Sequence, residues 1–374
     1  MSWRIPLTDL AIPEEDVQAV IACLESGWLT MGPRVLAFET AFAEYAGTPH
    51  AVAVSSGTAA LHMAMLAARI GPGDEVIVPS LTFVAGAAAV RYVGATPVLC
   101  DVTSPLQPLI DVDDVARRIT PRTRAVVAVH FFGYPAAVEQ LRALCDEHGL
   151  VLIEDAAQAV GARSASGARV GTIGDLGCFS FFSKKQLSLG EGGMVTTANE
   201  AFATRVRSLR SHAMTSGTWD RHRGHAESYD VVDFGFNFRL DEPRAALGIS
   251  RLPRLEADIE KRRRHARAYR AALADLPGLE LPFDDETVER ASHFAFIVLL
   301  PDRERRDALR AALAAEGIQT VWYPALTLLG EYLHAGSTPR AEEASQRHCA
   351  LPLSSCLKDE EREQVVQAVR AALA

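Results

Sequence analysis

The sequence has little of what marks a secreted, membrane-bound or disulfide-stabilised protein. Its six cysteines are scattered, with no CxxC pair and no regular spacing, so we expect reduced thiols, most of them packed. No uncharged apolar run reaches the roughly 18 residues that a membrane span needs. The N-terminus lacks a basic start followed by an apolar run, which argues against a secretion signal. These absences predict a cytoplasmic protein with no membrane partner.

An excess of basic residues is also missing. The chain carries 38 Lys and Arg against 47 Asp and Glu, a formal net charge of −9, which disfavours nucleic acid as a partner. Its 11 histidines show no HExxH or other metal-ligand spacing, so no metal site is expected. A length of 374 residues allows a large core and more than one domain.

What the sequence does contain is an alternation of short apolar runs with helical patterns. Several runs are apolar throughout, as strands buried on both faces of a parallel sheet are. Helical patterns lie between them at 58–69, 112–119 and 137–147. This alternation predicts an α/β domain with a mainly parallel sheet. The seven candidate strands are 51–54, 75–78, 97–99, 125–129, 151–153, 178–182 and 194–197.

A polar stretch at 211–228 interrupts this alternation, and two helical segments, 242–252 and 255–274, follow it. We therefore expect a large domain over residues 1–250 and a smaller C-terminal domain over 251–374. The smaller domain has a strand-like run at 294–300, an amphipathic segment at 303–316 and a final helix at 358–374.

The first motif with chemical content is AVAVSSGTAALHMAM at 51–65, a strand that leads through Ser55-Ser56-Gly57-Thr58 into a helix. Small residues let main-chain N–H groups approach an anion, and the helix N-terminus adds unpaired donors and a favourable dipole. The same residues are also typical of a simple helix cap after a strand.

The second motif is VLIEDAAQAVGA at 151–162, in which Asp155 ends a buried strand, where open α/β sheets bind ligands. A buried carboxylate needs a partner, and a protonated pyridine nitrogen is one such partner. The alternative interpretation is that Asp155 caps a following helix.

The third motif is CFSFFSKKQLSLGEGGMVTT at 178–197, in which Lys184 and Lys185 lie between an aromatic strand and a glycine-rich turn. Exposed lysines are normally solvated, whereas an amine in a partly apolar pocket has a lowered pKa and becomes nucleophilic. Ser180 offers a hydroxyl to a phosphate. Together the three motifs supply what a pyridoxal phosphate site requires: an anion cradle, a carboxylate for the ring nitrogen and a lysine for the aldehyde.

Seven stretches of the chain, in this order, also follow the pattern of a known family. They are GWLTMGP at 27–33, SSGTAAL at 55–61, GDEVIVPSLTFVA at 73–85, VHFFGYP at 129–135, IEDAAQAVGA at 153–162, FSFFSKKQLSLGEGG at 179–193 and GFNFRLDEPRAALG at 235–248. By these stretches the sequence resembles the aminotransferases of the DegT/DnrJ/EryC1/StrS family. The resemblance implies a fold-type I transferase, with a mainly parallel seven-stranded sheet flanked by helices and a smaller C-terminal α/β domain.

The resemblance also implies roles for individual residues. The family's Schiff-base lysine lies five residues after the serine of the FSF strand and six before the glutamate of EGG, which selects Lys185 rather than Lys184. Its presence implies transamination, because the family's dehydratases carry histidine there. The implied cofactor contacts are Gly57, Thr58 and Ser180 to the phosphate, Phe83 to the ring, Asp155 to the ring nitrogen, Gln158 to the 3-hydroxyl side, and Asn237 from the neighbouring subunit of a homodimer.

For the substrate, the resemblance implies glutamate or glutamine as amino donor and a nucleotide-linked keto-sugar as acceptor. The stretches GEGGMVTT and GFNFR favour C4 of a dTDP-4-keto-6-deoxyhexose. By family position, Thr30, Arg239 and Tyr323 are substrate contacts. The segment with Arg221, His222, Arg223 and His225 meets a diphosphate or is an exposed loop or dimer contact.

One departure concerns the substrate: many sugar aminotransferases carry a histidine in the segment that here reads WYPALTL at 322–328. The alternatives are a 3-keto-sugar aminotransferase, a cyclitol (inosose-type) aminotransferase, and a non-catalytic, cofactor-sensing regulator. The absence of an added DNA-binding segment or basic tail counts against the regulator.

Overall fold

The computed structural model describes residues 3–224, 227–333 and 336–374. Seven of its strands form one sheet in the order β1-β9-β8-β7-β6-β2-β3, and all seven are the predicted ones. The strands are β1 His50–Val54, β2 Glu75–Pro79, β3 Thr96–Cys100, β4 Val102–Ser104, β5 Gln107–Ile110, β6 Thr123–Val129, β7 Val151–Asp155, β8 Leu176–Ser180, β9 Gly193–Thr197, β10 Phe296–Leu299 and β11 His348–Leu351.

The sheet is mostly parallel, as predicted. The pairs β2–β3, β2–β6, β6–β7 and β7–β8 run parallel, whereas β9 lies antiparallel between β1 and β8. Every residue of β2, β8 and β9 is buried, which is why these strands are apolar along most of their length. The carboxyl ends of β1, β6, β7 and β8 meet at one edge of the sheet, and the predicted motifs follow these ends.

Helices pack on the sheet and build the C-terminal part of the chain. The sequence predicts α3, α5, α6, α9, α10, α12 and α14, but not the remaining helices or the short β4–β5 hairpin. The helices are α1 Glu14–Glu25, α2 Pro33–Ala46, α3 Gly57–Ala67, α4 Ala85–Tyr92, α5 Val112–Arg118, α6 Val138–His148, α7 Glu200–Leu209, α8 Thr218–His222, α9 Glu242–Arg251, α10 Leu255–Leu273, α11 Asp285–Arg290, α12 Arg303–Ala315, α13 Pro339–Arg347 and α14 Asp359–Leu373.

The C-terminal elements have a hydrophobic core of their own. The antiparallel pair of strands β10 and β11 packs against α10, α12 and α14 through side chains that include Phe296, Leu309 and Val365. Ile5, from the start of the chain, joins this core and pairs with Ile318. The division of the chain at residue 250 stays a prediction.

Two further features of the described residues bear on function. Five cysteines are buried, Cys356 is half-buried, and none of the six forms a disulfide. None of the helices described has both the length and the apolar character that crossing a bilayer requires.

Candidate functional site

A cavity of about 510 Å³ lies at the edge of the sheet where β1, β7 and β8 end. Residues from the C-terminal part of the chain form its other wall. Eight of the residues predicted from the sequence line it together: Gly57, Thr58, Phe83, Asp155, Gln158, Ser180, Lys185 and Tyr323.

The turn between β1 and α3 forms one end of the cavity. The Ser56 hydroxyl accepts a hydrogen bond from the N–H of Ala59 at 3.1 Å, so Ser56 caps the helix. Gly57 and Thr58 are the first helical residues, whose N–H groups have no acceptor within an α-helix. The cap and the anion cradle are therefore compatible: one serine orders the turn, and the following N–H groups are available to an anion.

This turn lies against the end of β8 with no room to spare. A Cβ atom at Gly57 would lie 2.7 Å from the Cβ of Ser180, and a Cβ at Gly193 would lie 2.3 Å from the carbonyl oxygen of Ser56. The two glycines let the Ser180 hydroxyl and the helix N-terminus approach the same point.

Asp155, the last residue of β7, is buried. Its Oδ1 accepts a hydrogen bond from the N–H of Ala157 at 3.0 Å. The alternative that it caps a helix is wrong, because residues 156–162 form turns. Burial raises the pKa of Asp155 above its ordinary value, although the Ala157 N–H and the charge of Lys185 oppose this shift. A cation beside the carboxyl would therefore stabilise its ionised form.

A buried pair lies behind Asp155. His130 Nδ1 accepts a hydrogen bond from Ala136 N–H, which leaves the ring proton on Nε2, 2.9 Å from an oxygen of Glu154. Burial acts to raise the pKa of Glu154, but this bond and those from the N–H groups of Gly174 and Gly171 overcome it and lower the pKa. The pair fixes the end of β7 that carries Asp155.

Lys185 lies in the turn after β8, and its N–H donates to the carbonyl oxygen of Phe182 at 2.8 Å. Its side chain is half-buried, and Nζ lies 4.5 Å from the centre of the Phe294 ring. Burial lowers the pKa of Lys185 to about 8, while the charge of Asp155 opposes the shift. Lys184 also borders the cavity but is exposed, so the structure separates the two lysines as the spacing does.

The amide of Gln158 has a fixed orientation. Its Oε1 accepts a hydrogen bond from the N–H of Phe132 at 2.8 Å. Because a main-chain N–H must meet the amide oxygen, the Nε2 group is the donor left to act in the cavity.

Sequence reasoning missed the wall formed by the C-terminal part of the chain. Phe294, Ala295 and Val321 line the cavity opposite the sheet edge. No local pattern singled them out, because their function comes from tertiary packing and not from a motif. Tyr323, which was predicted, is half-buried in the same wall, and burial raises its pKa to about 12.

Three predicted residues are not in the cavity lining of the chain. Asn237 is exposed, Thr30 is half-buried, and Arg239 donates to the Ser211 hydroxyl at 3.1 Å. Burial, with the nearby charge of Arg221, lowers the pKa of Arg239.

Arg221, His222 and Arg223, which belong to the basic segment predicted as a diphosphate contact, are not among the residues that line the cavity either. The Arg221 guanidinium lies over the ring of Tyr229, and the His222 ring packs 4.5 Å from that of Trp28. His225 lies outside the described residues.

The site has three features, each of which suits a different chemical group of a ligand. An amine whose pKa is near 8 suits an aldehyde, a buried carboxyl suits a pyridinium nitrogen, and paired glycines beside a helix N-terminus suit a phosphate. Pyridoxal 5'-phosphate carries all three groups. The fold and the site thus define a pyridoxal-phosphate-dependent transferase.

Comparison with known proteins makes this class specific. The chain belongs to the DegT/DnrJ/EryC1/StrS aminotransferase family, whose model matches residues 11–370. It is therefore an aminotransferase with pyridoxal phosphate as cofactor.

Individual relatives cover nearly the whole chain. It is 39% identical to the dTDP-3-amino-3,4,6-trideoxy-alpha-D-glucose transaminase of Streptomyces venezuelae, over 98% of this chain and 96% of the relative. It is 36% identical to the spore coat polysaccharide biosynthesis protein SpsC of Bacillus subtilis, over 99% and 96%. The crystal structure of S. venezuelae DesV in complex with ketimine intermediate has a TM-score of 0.89 and 38% identity, over 99% and 98%.

Proposed function

We propose that this aminotransferase moves an amino group from glutamate or glutamine to a nucleotide-linked keto-sugar, in amino-sugar biosynthesis such as that of antibiotics. The observation that carries the proposal is the meeting of Lys185, Asp155 and the β1–α3 turn in one cavity. The name of the S. venezuelae relative supports a nucleotide sugar as substrate, since that protein is a transaminase for a dTDP-linked amino-sugar.

Each residue of the cavity has a task in this reaction. The N–H groups of Gly57 and Thr58 and the Ser180 hydroxyl would hold the phosphate, and Phe83 would lie against the ring. Asp155 would pair with the ring nitrogen and Gln158 Nε2 would donate to the 3-hydroxyl side. When bound, the cofactor supplies an electron sink for the carbon that carries the amino group.

The central task belongs to Lys185. Its Nζ would hold the cofactor in the absence of an amino donor and, once free, would move the proton at the substrate carbon as general base and acid. A pKa of about 8 means that roughly a tenth of the amine is unprotonated at pH 7, far more than for an ordinary lysine. Apolar side chains such as Phe294 and Val321 reduce the access of water to the amine.

We further propose a cytoplasmic homodimer with composite active sites. Asn237 is exposed and outside the cavity of its own chain, as a residue that serves a neighbouring site would be. Thr30 and Arg239 would then contact the sugar nucleotide from the same surface, and Tyr323 would contact it from within the cavity. Arg221 and Arg223 remain candidates for the diphosphate.

Two positions on the sugar compete as the aminated carbon. The stretches GEGGMVTT and GFNFR favour C4 of a dTDP-4-keto-6-deoxyhexose, whereas the 3-amino product in the name of the S. venezuelae relative favours C3. The segment 322–328, which has no histidine, borders the cavity through Tyr323, and we infer that this choice would be made there.

The test is an assay with glutamate or glutamine as donor and a panel of 3-keto and 4-keto sugar nucleotides as acceptors. A free inosose is assayed separately as an alternative acceptor. We expect 2-oxoglutarate from glutamate to form in step with one aminated nucleotide sugar. Equal activity on the free inosose would support a cyclitol aminotransferase instead. Cofactor binding without turnover of any acceptor would support a regulator.

The matched variants are Lys185→Ala and Lys184→Ala. We expect Lys185→Ala to abolish turnover but still to bind the cofactor. We expect Lys184→Ala to retain turnover. Turnover by Lys185→Ala would overturn the proposal.

A further inference from the structure

A segment from the C-terminal part of the chain reaches across the cavity to Lys185. Residues 292–295 precede β10, and Phe294 turns its ring face towards the lysine. Nζ lies 4.5 Å from the ring centre, within the range in which an aromatic face attracts a cation.

Main-chain hydrogen bonds hold the Phe294 backbone in place. Its N–H donates to the carbonyl oxygen of Phe132 at 2.9 Å, and the N–H of Ser292 donates to that of Gly133 at 2.9 Å. A Cβ at Gly133 would lie 2.6 Å from the nitrogen of Phe294. The segment is therefore packed as closely as main chain allows against the turn that follows β6.

A second tie joins the same segment to the lysine turn. Gln186, the residue after Lys185, donates from Nε2 to the Ser292 hydroxyl at 2.9 Å and to the carbonyl oxygen of Gln158 at 2.6 Å. The backbones that carry the ring and the amine are thus fixed relative to each other.

We propose that Phe294 is a positioning residue for Lys185. The ring face of Phe294 holds the ammonium form of the amine and sets where Nζ lies in the cavity. The inference rests on the proposed function, in which Lys185 is the amine that reacts. Among the described residues, the other titratable groups that line the cavity are Asp155, Lys184, Glu191 and Tyr323, and His130 lies behind Asp155.

The physical contribution of the ring can be separated from that of burial. An aliphatic side chain of similar size keeps water from the amine but lacks the negative face of the ring. Replacing Phe294 by leucine or methionine should therefore destabilise the ammonium form and lower the pKa of Lys185 below its present value of about 8. Tyrosine keeps the ring and should leave the pKa close to that value.

The experiment measures the reactivity of Lys185 in the full-length apoenzyme as a function of pH. The chain has lysines only at 184, 185, 261 and 358, so acetylation by acetic anhydride can be read at each one from peptide fragment ions. We expect the midpoint for Lys185 to fall by about half a pH unit or more in Phe294→Leu and Phe294→Met. The midpoint for Lys185 should stay unchanged in Phe294→Tyr. The midpoint for the control residue Lys261 should be the same in the wild type and in every variant.

A separate measurement distinguishes failure of this inference from failure of the proposed function. Borohydride reduction of each holoenzyme fixes the cofactor to the lysine that holds it. Attachment at Lys185 with a lowered midpoint in the folded leucine or methionine variant supports both. Attachment at Lys185 with wild-type midpoints in both variants overturns the inference alone, and attachment at another lysine overturns the proposed function.

Discussion

The N–H of Phe132 donates a hydrogen bond to Oε1 of Gln158 across 2.8 Å, and this bond sets which end of the glutamine amide faces the cavity. Phe132 has φ 59°, in the left-handed region that few bulky residues adopt. The strained turn is held by Phe294, whose N–H donates to the carbonyl oxygen of Phe132. The main chain at Phe132 therefore keeps the Nε2 donor of Gln158 facing the cavity, because it binds the opposite end of the same amide.

Gln158→Glu tests this relationship. The carboxylate still accepts from Phe132, but its second oxygen replaces the Nε2 donor and repels an oxygen on the cofactor. Loss of one such bond costs about 1–3 kcal/mol, so we expect the Kd for pyridoxal phosphate to rise about ten- to a hundredfold. Titration of the apoenzyme by absorbance measures this, and the exposed Gln140→Glu serves as control. Equal Kd values for the two variants would show that Gln158 does not donate to the cofactor.

Gly57→Ala tests the close approach of the β1–α3 turn to β8. The new Cβ would lie 2.7 Å from the Cβ of Ser180, so the serine or the helix N-terminus must move. Overpacking of this kind costs about 1–3 kcal/mol, and we expect the affinity for the cofactor to fall at least tenfold. Gly71→Ala is the matched control, since a Cβ there has no atom within 4 Å. An unchanged Kd for pyridoxal phosphate in Gly57→Ala would show that this turn does not bind the cofactor's phosphate.

Glu242 orders the N-terminus of α2 from a distant part of the chain. Its Oε1 accepts from the N–H groups of Gly32 and Val35, both at 2.9 Å, and its Oε2 accepts from that of Arg34 at 3.0 Å. A fully buried carboxylate thus satisfies three donors at the positive end of a helix.

Glu242→Gln removes the charge with little change in volume. One of its two terminal groups can no longer accept, which leaves at least one N–H unpaired. Hydrogen bonds to charged groups are worth about 1.5–3 kcal/mol each, so we expect the free energy of unfolding in urea to fall by about that amount. The exposed Glu44→Gln, on the same helix, should change it little. A loss as small as that of the control would mean that water replaces the carboxylate.

His293 makes stability depend on acidity. It is fully buried, and neither ring nitrogen has a close hydrogen-bond partner among the described residues. Burial lowers its pKa from 6.5 to about 3. Between these values the unfolded chain binds a proton that the folded chain does not, so each pH unit below 6.5 removes up to about 1.4 kcal/mol of stability.

His293→Asn should remove this contribution. Asparagine tolerates the φ of 51° at this position and does not titrate. We therefore expect the melting temperature to fall less steeply between pH 6.5 and pH 4.5 than in the wild type. The exposed His148→Asn should keep the wild-type slope, and an identical slope in His293→Asn would mean that the ring is protonated in the folded state.

The strands of the sheet could be predicted because burial on both faces requires several consecutive apolar residues, a pattern that is visible in the sequence. The run 125–129, for example, is apolar throughout and lies within β6. In contrast, α2 was missed although Pro33 at its start and Gly47 after its end are local helix signals. The bonds that order its N-terminus come from Glu242, some 210 residues away, and have no local signal. The β4–β5 hairpin was missed because strands of three and four residues carry too short a pattern.

The same distinction holds at the site. Gly57, Asp155 and Lys185 each lie at or just after the end of a strand in a local motif, so their meeting follows from the shared edge of the sheet. Phe294 has no motif and reaches the cavity only through the fold of the C-terminal part of the chain. Thr30, Asn237 and Arg239 rest on family position alone and lie outside the cavity of their own chain.

The antiparallel position of β9 has a consequence for how the protein is made. β1 lies at the edge of the sheet and, among the strands described, pairs with β9 alone; Val54 faces Gly193, roughly 140 residues later in the chain. During synthesis β1 must wait, unpaired, until about half of the protein has left the ribosome. Because the residues proposed to hold the cofactor phosphate lie at or just after the ends of β1 and β8, we expect the phosphate to bind only after the sheet has formed.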